Sequence, residues 1–512
     1  MPKITTVTNS LLASGLVLLA GCTVGPDYSK PEIQASSGFE NASAAASGSF
    51  ASVTSTDPAD LREWWKSLGD PMLDSLIERG MAQSPDVRLA LARLREARAQ
   101  RGVSESRAYP VLDAVGGYSR SRGSENAFGP GGAPGRVSNL FTAGLDAGWE
   151  IDVFGGVRRG IEAADADLEA SEWSRRDVLV TLTSEIARNY VEYRGFQKRM
   201  EVLEEAVRVQ AETQQVAKVR LDAGIAPELD YAQATALLES RRSLVPVVAI
   251  QMQQSLHRLG VLLGGMPTSL REELAAKGAI PSTPPRVPVG LPTDLLQRRP
   301  DIRRAERELA SATARIGVTT ADLYPKFTLT GTLGMQADAF NTWGSLTSHY
   351  WSIGPGVRWN AFDAGRIRNN IEAADARAQQ SLAMYDKTIL SAFEEVENRL
   401  VAFTQEQSRW NSLRDAVAAN QRAVELATDL NRAGIRDFLN VLDSQRALYD
   451  TQDQLVQSEV SVTTGLIALY KSLGGGWEGQ LLAPALDDAR VKNPPAPSST
   501  EAEPSVQGGA AN

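Results

Sequence analysis

Cysteine and histidine are nearly missing from this 512-residue chain, which has one of the first and two of the second. That leaves no constellation from which a zinc site or a thiol nucleophile could be assembled. Positive charge is not in surplus either. With 53 Lys and Arg against 62 Asp and Glu, the formal charge is -9. This excludes a non-specific nucleic-acid binder, whose affinity would rest on basic surface. A long membrane-spanning apolar run is also lacking, because the one candidate near the start is too short to cross roughly 30 Å of hydrocarbon as a mature helix. No nucleophile elbow or acid–base pair stands out, so the chain is not expected to be an enzyme. His257 lies in helical sequence and reads as a packing or surface residue.

The single cysteine is informative by its position. A basic start at Lys3, an apolar run through Leu16–Ala20 and small residues before Cys22 describe a secretory leader over residues 1–21. Leu19-Ala-Gly-Cys22 resembles a bacterial lipobox. The resemblance implies cleavage before Cys22, diacylglycerol on its sulfur and an N-acyl chain, which together make a stable anchor. Thr23, where an Asp would favour inner-membrane retention, directs the expectation to the outer membrane. The Ala/Ser/Gly-rich stretch 36–56 and the tail 493–512 read as weakly ordered.

The rest of the chain repeats itself. Ile161-Glu-Ala-Ala-Asp-Ala166 recurs 210 residues later at Ile371–Ala376, as do Trp149 at Trp359 and Ala223-Gly-Ile225 at Ala433-Gly-Ile435. Tyr109-Pro110 recurs at Tyr324-Pro325, at a spacing of 215. One large half-unit was built twice. In each copy a helical period (about 71–106, then about 291–322) ends near Tyr-Pro and gives way to a period of two. Phe141, Ala143, Leu145, Ala147 and Trp149 alternate with polar or small residues. So do Phe327, Leu329, Leu333 and Met335, and a further strand carries Trp351, Ile353, Val357 and Trp359.

Alternation alone fits an ordinary hairpin half-buried against a soluble core, but strands of about ten residues with one apolar face are also the weak signature of an outer-membrane barrel. Four strands cannot close one, and an open sheet leaves amides unsatisfied in lipid, so an oligomer is expected. Beyond Gly155 and Gly365 come proline-free helical segments, 157–221 and 366–430, in which Ile389, Phe393, Val396, Leu400 and Phe403 step 4-3-4-3. About 65 residues make a rod of roughly 100 Å, packed laterally along its length. Gly224 and Gly434 stop each rod, and a second helix returns over about 229–262 and 438–473.

Cys22–Tyr28, Trp64-Trp65, Ser84-Pro-Asp86, Trp149–Gly155, Leu296-Gln-Arg-Arg-Pro-Asp-Ile302, Phe362-Asp-Ala-Gly-Arg366 and Leu442-Asp-Ser-Gln-Arg446 occur here in order. Together they resemble the outer membrane factor family, the TolC-like channels of tripartite efflux pumps, and its NodT-type lipoprotein branch. The resemblance implies a mainly α fold with a membrane β-barrel: a homotrimer closing 12 strands, four per chain, above a long periplasmic α-helical coiled-coil barrel. It implies a lipidated tether and equatorial segment over 22–70, repeats over 71–263 and 291–473, a connector at 264–290 and an equatorial C-terminal segment at 474–492.

It further implies passive export of drugs, metal ions or other small compounds. The partners would be an inner-membrane RND-type transporter, a periplasmic adaptor protein and outer-membrane lipid, with no cofactor beyond the lipid on Cys22. Adaptor docking would fall at Gly224, Ile225, Gly434 and Ile435, and a periplasmic gate at Asp443 and Arg446. Asp230 and Asn440 complete the expected gate: Asn440 stands where relatives carry a second acid, which weakens a double acidic ring, and Asp230, aligned with it by the 210 offset, would supply a second acidic group from the other hairpin. The alternative is a structural envelope protein on the same rods, without channel activity.

Overall fold

Proline and glycine decide where this chain turns. The structure, a computed structural model, describes residues 23–33, 38–41, 52–55, 57, 60–124 and 137–478. The expected leader, Cys22, most of the tether and the C-terminal tail lie outside the described residues. Along the first copy, β1 (Val53–Ser55) and a 3-10 turn at Trp64–Leu68 precede α1 (Pro71–Gln83) and α2 (Pro85–Ser106). A hairpin of β2 (Val111–Arg122) and β3 (Val137–Ile151) follows, then the rod α3 (Gly156–Asp222) and its return α4 (Glu228–Leu262). The second copy runs β4 (Arg286–Pro288), α5 (Pro292–Arg298), α6 (Pro300–Ala321), β5 (Lys326–Ala337), the single turn α7 (Phe340–Trp343), β6 (His349–Arg358), rod α8 (Arg366–Arg432) and return α9 (Phe438–Ser472).

Two helices expected to be continuous are broken. Between α1 and α2, Ser84 is extended (ψ 135°) and its hydroxyl accepts from the Asp86 N–H, with Pro85 at the first helical position. Serine capping and proline's preset φ favour a new helix start there over continuation. Between α5 and α6, Arg299 takes ψ 121° before Pro300 in the same way. The first hairpin strand extends through Arg122.

The rods are 67 residues each and the returns 35. Every boundary of α3 and α4, moved by 210, gives the boundary of α8 or α9. The short helices α2 and α6 are offset by 215. The five-residue difference is absorbed in the hairpins, where β3 has 15 residues and β6 has 10.

The strands form one antiparallel sheet, β2-β3-β5-β6, leaving β2 and β6 as free edges. Register sorts the side chains into two faces. One row reads Ala114, Leu145, Leu333, Trp351, and the next reads Asp113, Asp146, Thr332, Ser352. On the apolar face Leu333, Trp351, Ile353 and Val357 stand in the open in the single chain. Among the described residues, no helix is long and apolar enough to cross a membrane.

The main core wraps the rods partway along their length. Trp64, Trp65, Leu73, Leu76 and Ile77 pack against Leu179, Ile186 and Tyr190 of α3, with Leu466, Tyr470 and Trp477 closing the far side. The parallel pair β1–β4 ties the N-terminal segment to the connector there. Closer to the sheet, α6 packs against both rods. Its Ile302, Ala305 and Leu309 meet Tyr385, Ile389 and Ala392 of α8.

Candidate functional site

The ends of the rods farthest from the sheet are two matching turns. Gly224 (φ 70°) and Gly434 (φ 71°) occupy the left-handed region, which only glycine enters without steric cost. The reversal is closed by Ile225 N–H donating to the Arg220 carbonyl at 3.0 Å and Ile435 N–H to the Leu430 carbonyl at 2.9 Å. Ile225 and Ile435 themselves project into solvent, 71% and 68% exposed. Each tip thus presents an apolar side chain that nothing in its own hairpin covers.

Above the second tip, α9 has a divided surface. Val441, Leu442, Gln445, Leu448 and Tyr449 are buried, while Asn440, Asp443, Arg446 and Asp450 are exposed. Asp443 and Arg446 form an intrahelical ion pair at 3.0 Å. Both are more than half exposed, so the pair adds only a few tenths of a kcal/mol to stability. Asn440 donates to the Asp437 carbonyl at 3.3 Å. Asp230 lies in the first turn of α4, and none of the ion pairs among the described residues joins it to α9.

At the opposite end, two tryptophans buckle the sheet to the helices. Trp149 Nε1 donates to the Ala108 carbonyl at 2.9 Å, and Trp359 Nε1 to the Leu323 carbonyl at 3.0 Å. These are equivalent positions in the two copies. A strap, residues 23–33, is seated beside this junction. Val24 N–H donates to the Phe154 carbonyl, and the buried Arg159 guanidinium holds the Val24 carbonyl (3.2 Å) and the Asp27 carboxylate (2.5 Å). Further along, Tyr28 donates to Glu306 at 3.3 Å and Lys30 approaches it at 3.8 Å. Glu306 is also gripped by Arg303 and Arg307, each at 2.6 Å.

One chain therefore carries an open-edged sheet with an apolar face, rods of roughly 100 Å and solvent-facing tips. The family model for outer membrane efflux proteins matches residues 76–265 and 291–475. The chain belongs to the outer membrane efflux protein family. It is 31% identical to Nodulation protein T of Rhizobium leguminosarum bv. trifolii, over 90% of this chain and 96% of that one. It is 32% identical to the pyoverdine export outer membrane protein OpmQ of Pseudomonas aeruginosa, over 83% and 89%. Its fold matches the solved outer-membrane channel OprN with a TM-score of 0.83 and 35% identity, covering 89% of this chain and all of that one.

In this outer membrane efflux protein the sheet is the membrane portion and the rods reach into the periplasm. The ties between its two hairpins gave no signal in the sequence. Arg241 of α4 pairs with Asp450 of α9 at 2.7 Å, and Arg199 of α3 grips Asp453 with two bonds of 2.7 and 3.1 Å. Nearer the tips, Arg220 donates to Asn431 at 3.2 Å and Gln210 to Gln445 at 3.0 Å. A small apolar cluster of Ala217, Ala234, Phe438 and Leu442 supports them. Between the two ion pairs lies a cavity of about 380 Å³ lined by Leu203, Leu244, Val248 and Tyr449. Within α4, Pro246 removes one helical hydrogen bond.

Arg241 is only 12% exposed, so its pair with Asp450 is worth more than the surface pair Asp443–Arg446. Arg241→Asp should part the two hairpins and raise the leak conductance of the channel in planar bilayers severalfold. Adding Asp450→Arg restores the pair with reversed sign and should return conductance close to the original. A double variant as leaky as the single would show that the pair does not hold the hairpins.

The strap carries a pH dependence of definite sign. Burial alone would raise the pKa of Glu306, but the arginines outweigh it and hold the carboxyl below its usual value. Its contribution is therefore present above pH about 4.3 and is lost as pH falls through the lowered folded value. Protease protection of the strap should fall on acidification below about pH 4. Glu306→Gln should be weakly protected throughout, with a flatter pH profile; a variant as steep as the native chain would assign the dependence to other carboxylates.

Proposed function

We propose that three copies of this chain join their free edges into one 12-stranded barrel and one helical tunnel, and that the assembly is a passive exit duct. The observation that supports this best is the pairing, on one chain, of a sheet whose two edges need partners in lipid with rods whose exposed faces need lateral neighbours. An inner-membrane RND-type transporter would supply the energy and the cargo. A periplasmic adaptor would grip the tips at Gly224, Ile225, Gly434 and Ile435, where two glycine-capped turns offer apolar side chains. The pyoverdine relationship of OpmQ supports small compounds as cargo. Acyl chains on Cys22 would anchor each copy beside the strand bases, since Thr23, the next residue, packs against Gly155 at the start of the first rod.

The gate would be the exposed face of α9. Three copies of Asp443 around a narrow pore would attract cations and, with Arg446, set the closed state. Asp230 and Asn440 take matching places in the two copies, so each protomer contributes one acid at that level rather than two. Detergent-extracted protein should run as a trimer and conduct ions in planar bilayers, and a non-conducting monomer would overturn the duct. Asp443→Ala should raise closed-state conductance severalfold and weaken divalent-cation block. Unchanged conductance and block would remove the charge ring.

A further inference from the structure

The connection between β5 and β6 does not lie over the mouth of the sheet. Phe340 in its single-turn helix packs edge-on against Phe141 of β3, with centroids 5.6 Å apart. Phe141 in turn stacks with Tyr118 of β2 at 4.7 Å. Both belong to the apolar face of the sheet, the face of Leu145, Leu333 and Trp351. The loop has therefore folded back across β5 onto the outside of the barrel wall. It meets the middle of the protomer's sheet, away from the β2 and β6 edges where neighbouring copies would join.

The chemistry of the loop is sorted to match. Its hydroxyls are paired within the loop: Ser348 Oγ donates to the Thr342 carbonyl at 2.8 Å, and Ser345 lies within 2.9 and 3.1 Å of Thr347 and Ser348. Its apolar groups face out. Phe340 is 73% and Leu346 87% exposed, and Trp343 stacks on Phe340 at 6.4 Å with the rings nearly parallel. A segment that pairs its hydroxyls inwardly and displays its large apolar groups is suited to a lipid boundary rather than to water.

Position agrees with this. From Trp149 at the sheet base to Phe141 is eight residues, about 26 Å along the strand at 3.3 Å per residue, or about 20 Å of height at the usual barrel tilt, which leaves Phe141 inside an expected apolar band of about 25 Å flanked by aromatic girdles. The next outward residue of β2 on this face beyond Tyr118 is Arg120, where phosphate groups of a leaflet would lie.

We propose that the β5–β6 loop is a membrane-seated foot, with Phe340, Trp343 and Leu346 dipping among the acyl chains of the outer leaflet rather than lying across the barrel mouth. The proposal rests on the strands spanning the outer membrane, and one control separates the two. Cys22 is the chain's only cysteine, and the lipid would occupy it, so single introduced cysteines can be spin-labelled in the full chain. Phe340→Cys, Leu346→Cys, Leu333→Cys on the strand face and Asp222→Cys at the rod end would be reconstituted in vesicles of phosphatidylethanolamine and phosphatidylglycerol. Labels at 340 and 346 should collide with oxygen severalfold more, relative to a water-soluble nickel chelate, than the label at 222, as the label at 333 does. If 333 behaves as lipid-facing while 340 and 346 match 222, the foot is wrong and the barrel stands. If 333 also matches 222, both fall. Phe340→Ser with Leu346→Ser should leave single-channel conductance unchanged, and a rise would place the loop in the channel mouth and overturn the proposal.

Discussion

Arg299→Met should lower the stability of the folded assembly by about 3 kcal/mol, read as an earlier loss of trimer in a temperature series at neutral pH. One guanidinium here joins three elements. It grips Asp301 at the start of α6 with two bonds of 3.0 and 2.8 Å, reaches Glu395 in the middle of α8 at 3.0 Å, and donates to the Ser472 carbonyl at the end of α9 at 2.7 Å. It is 11% exposed. Removing it leaves one carbonyl and two carboxylates without their partner, which costs several kcal/mol in a buried site and less here because Glu395 is one-third exposed.

Asp301 supplies a sign that distinguishes this from general damage. Burial would raise its pKa, but Arg299 overrides burial and holds it below the usual range. Native stability from Asp301 is thus present above pH about 3.9 and fades as pH falls through the folded value. In Arg299→Met burial is opposed only by the Ile302 N–H and the Arg304 charge, so the deficit should be largest near neutrality and shrink on acidification as the carboxyl protonates. Arg299→Lys keeps the charge but not the fork, and should recover only part of the loss. A Met variant that melts with the native protein at pH 7 would rule out this joint as a strong point.

Gly317→Val should unseat the N-terminal strap. A side-chain carbon on Gly317 would lie 2.7 Å from Arg159 Cγ and 2.9 Å from the Val24 carbonyl oxygen. On the other side, a carbon on Gly25 would collide with the Gly317 backbone. Neither contact can relax by a side-chain rotation alone. Overpacking of this kind costs about 1–3 kcal/mol, and the displaced strap would also forfeit Arg159–Asp27 and Tyr28–Glu306. Residues 23–33 should become cleavable by protease added to outer-membrane fragments open on the periplasmic side, while the rods stay resistant; Gly317→Ala should do the same to a smaller degree. Equal protection in the native and Val forms would mean that the strap is held from elsewhere.

How much of this was visible in the sequence depended on whether the partners were near in the chain. The switch from a period of 3.6 to 2 placed the hairpins, and the proline-free runs placed the rods to within a residue or two, 157–221 against Gly156–Asp222. The tip glycines were legible because a left-handed residue between two helices is nearly always glycine. The Asp443–Arg446 pair was legible because i,i+3 spacing fixes it. The breaks before Pro85 and Pro300 are masked in the sequence, since apolar residues keep a roughly helical spacing across both prolines. Arg241–Asp450 is a contact between residues 209 apart, and Arg299–Ser472 between residues 173 apart. Spacing carries no information at that range. In the first copy, Ser84 holds the place of Arg299 and merely caps a helix, so even the internal repeat could not announce the joint.

The residue-for-residue equality of the two rod-and-return pairs has a mechanical consequence. Each hairpin acts as one leg of a pair of callipers hinged at the sheet, and both legs must touch down in the same plane. Adding seven residues to the rod and to the return of one copy alone would push its tip about 10 Å past the other. The Arg220–Asn431 and Arg241–Asp450 ties would then face the wrong partners. Length in this protein can drift freely in the outward hairpins, where the copies already differ by five residues, whereas the legs can only be re-cut together.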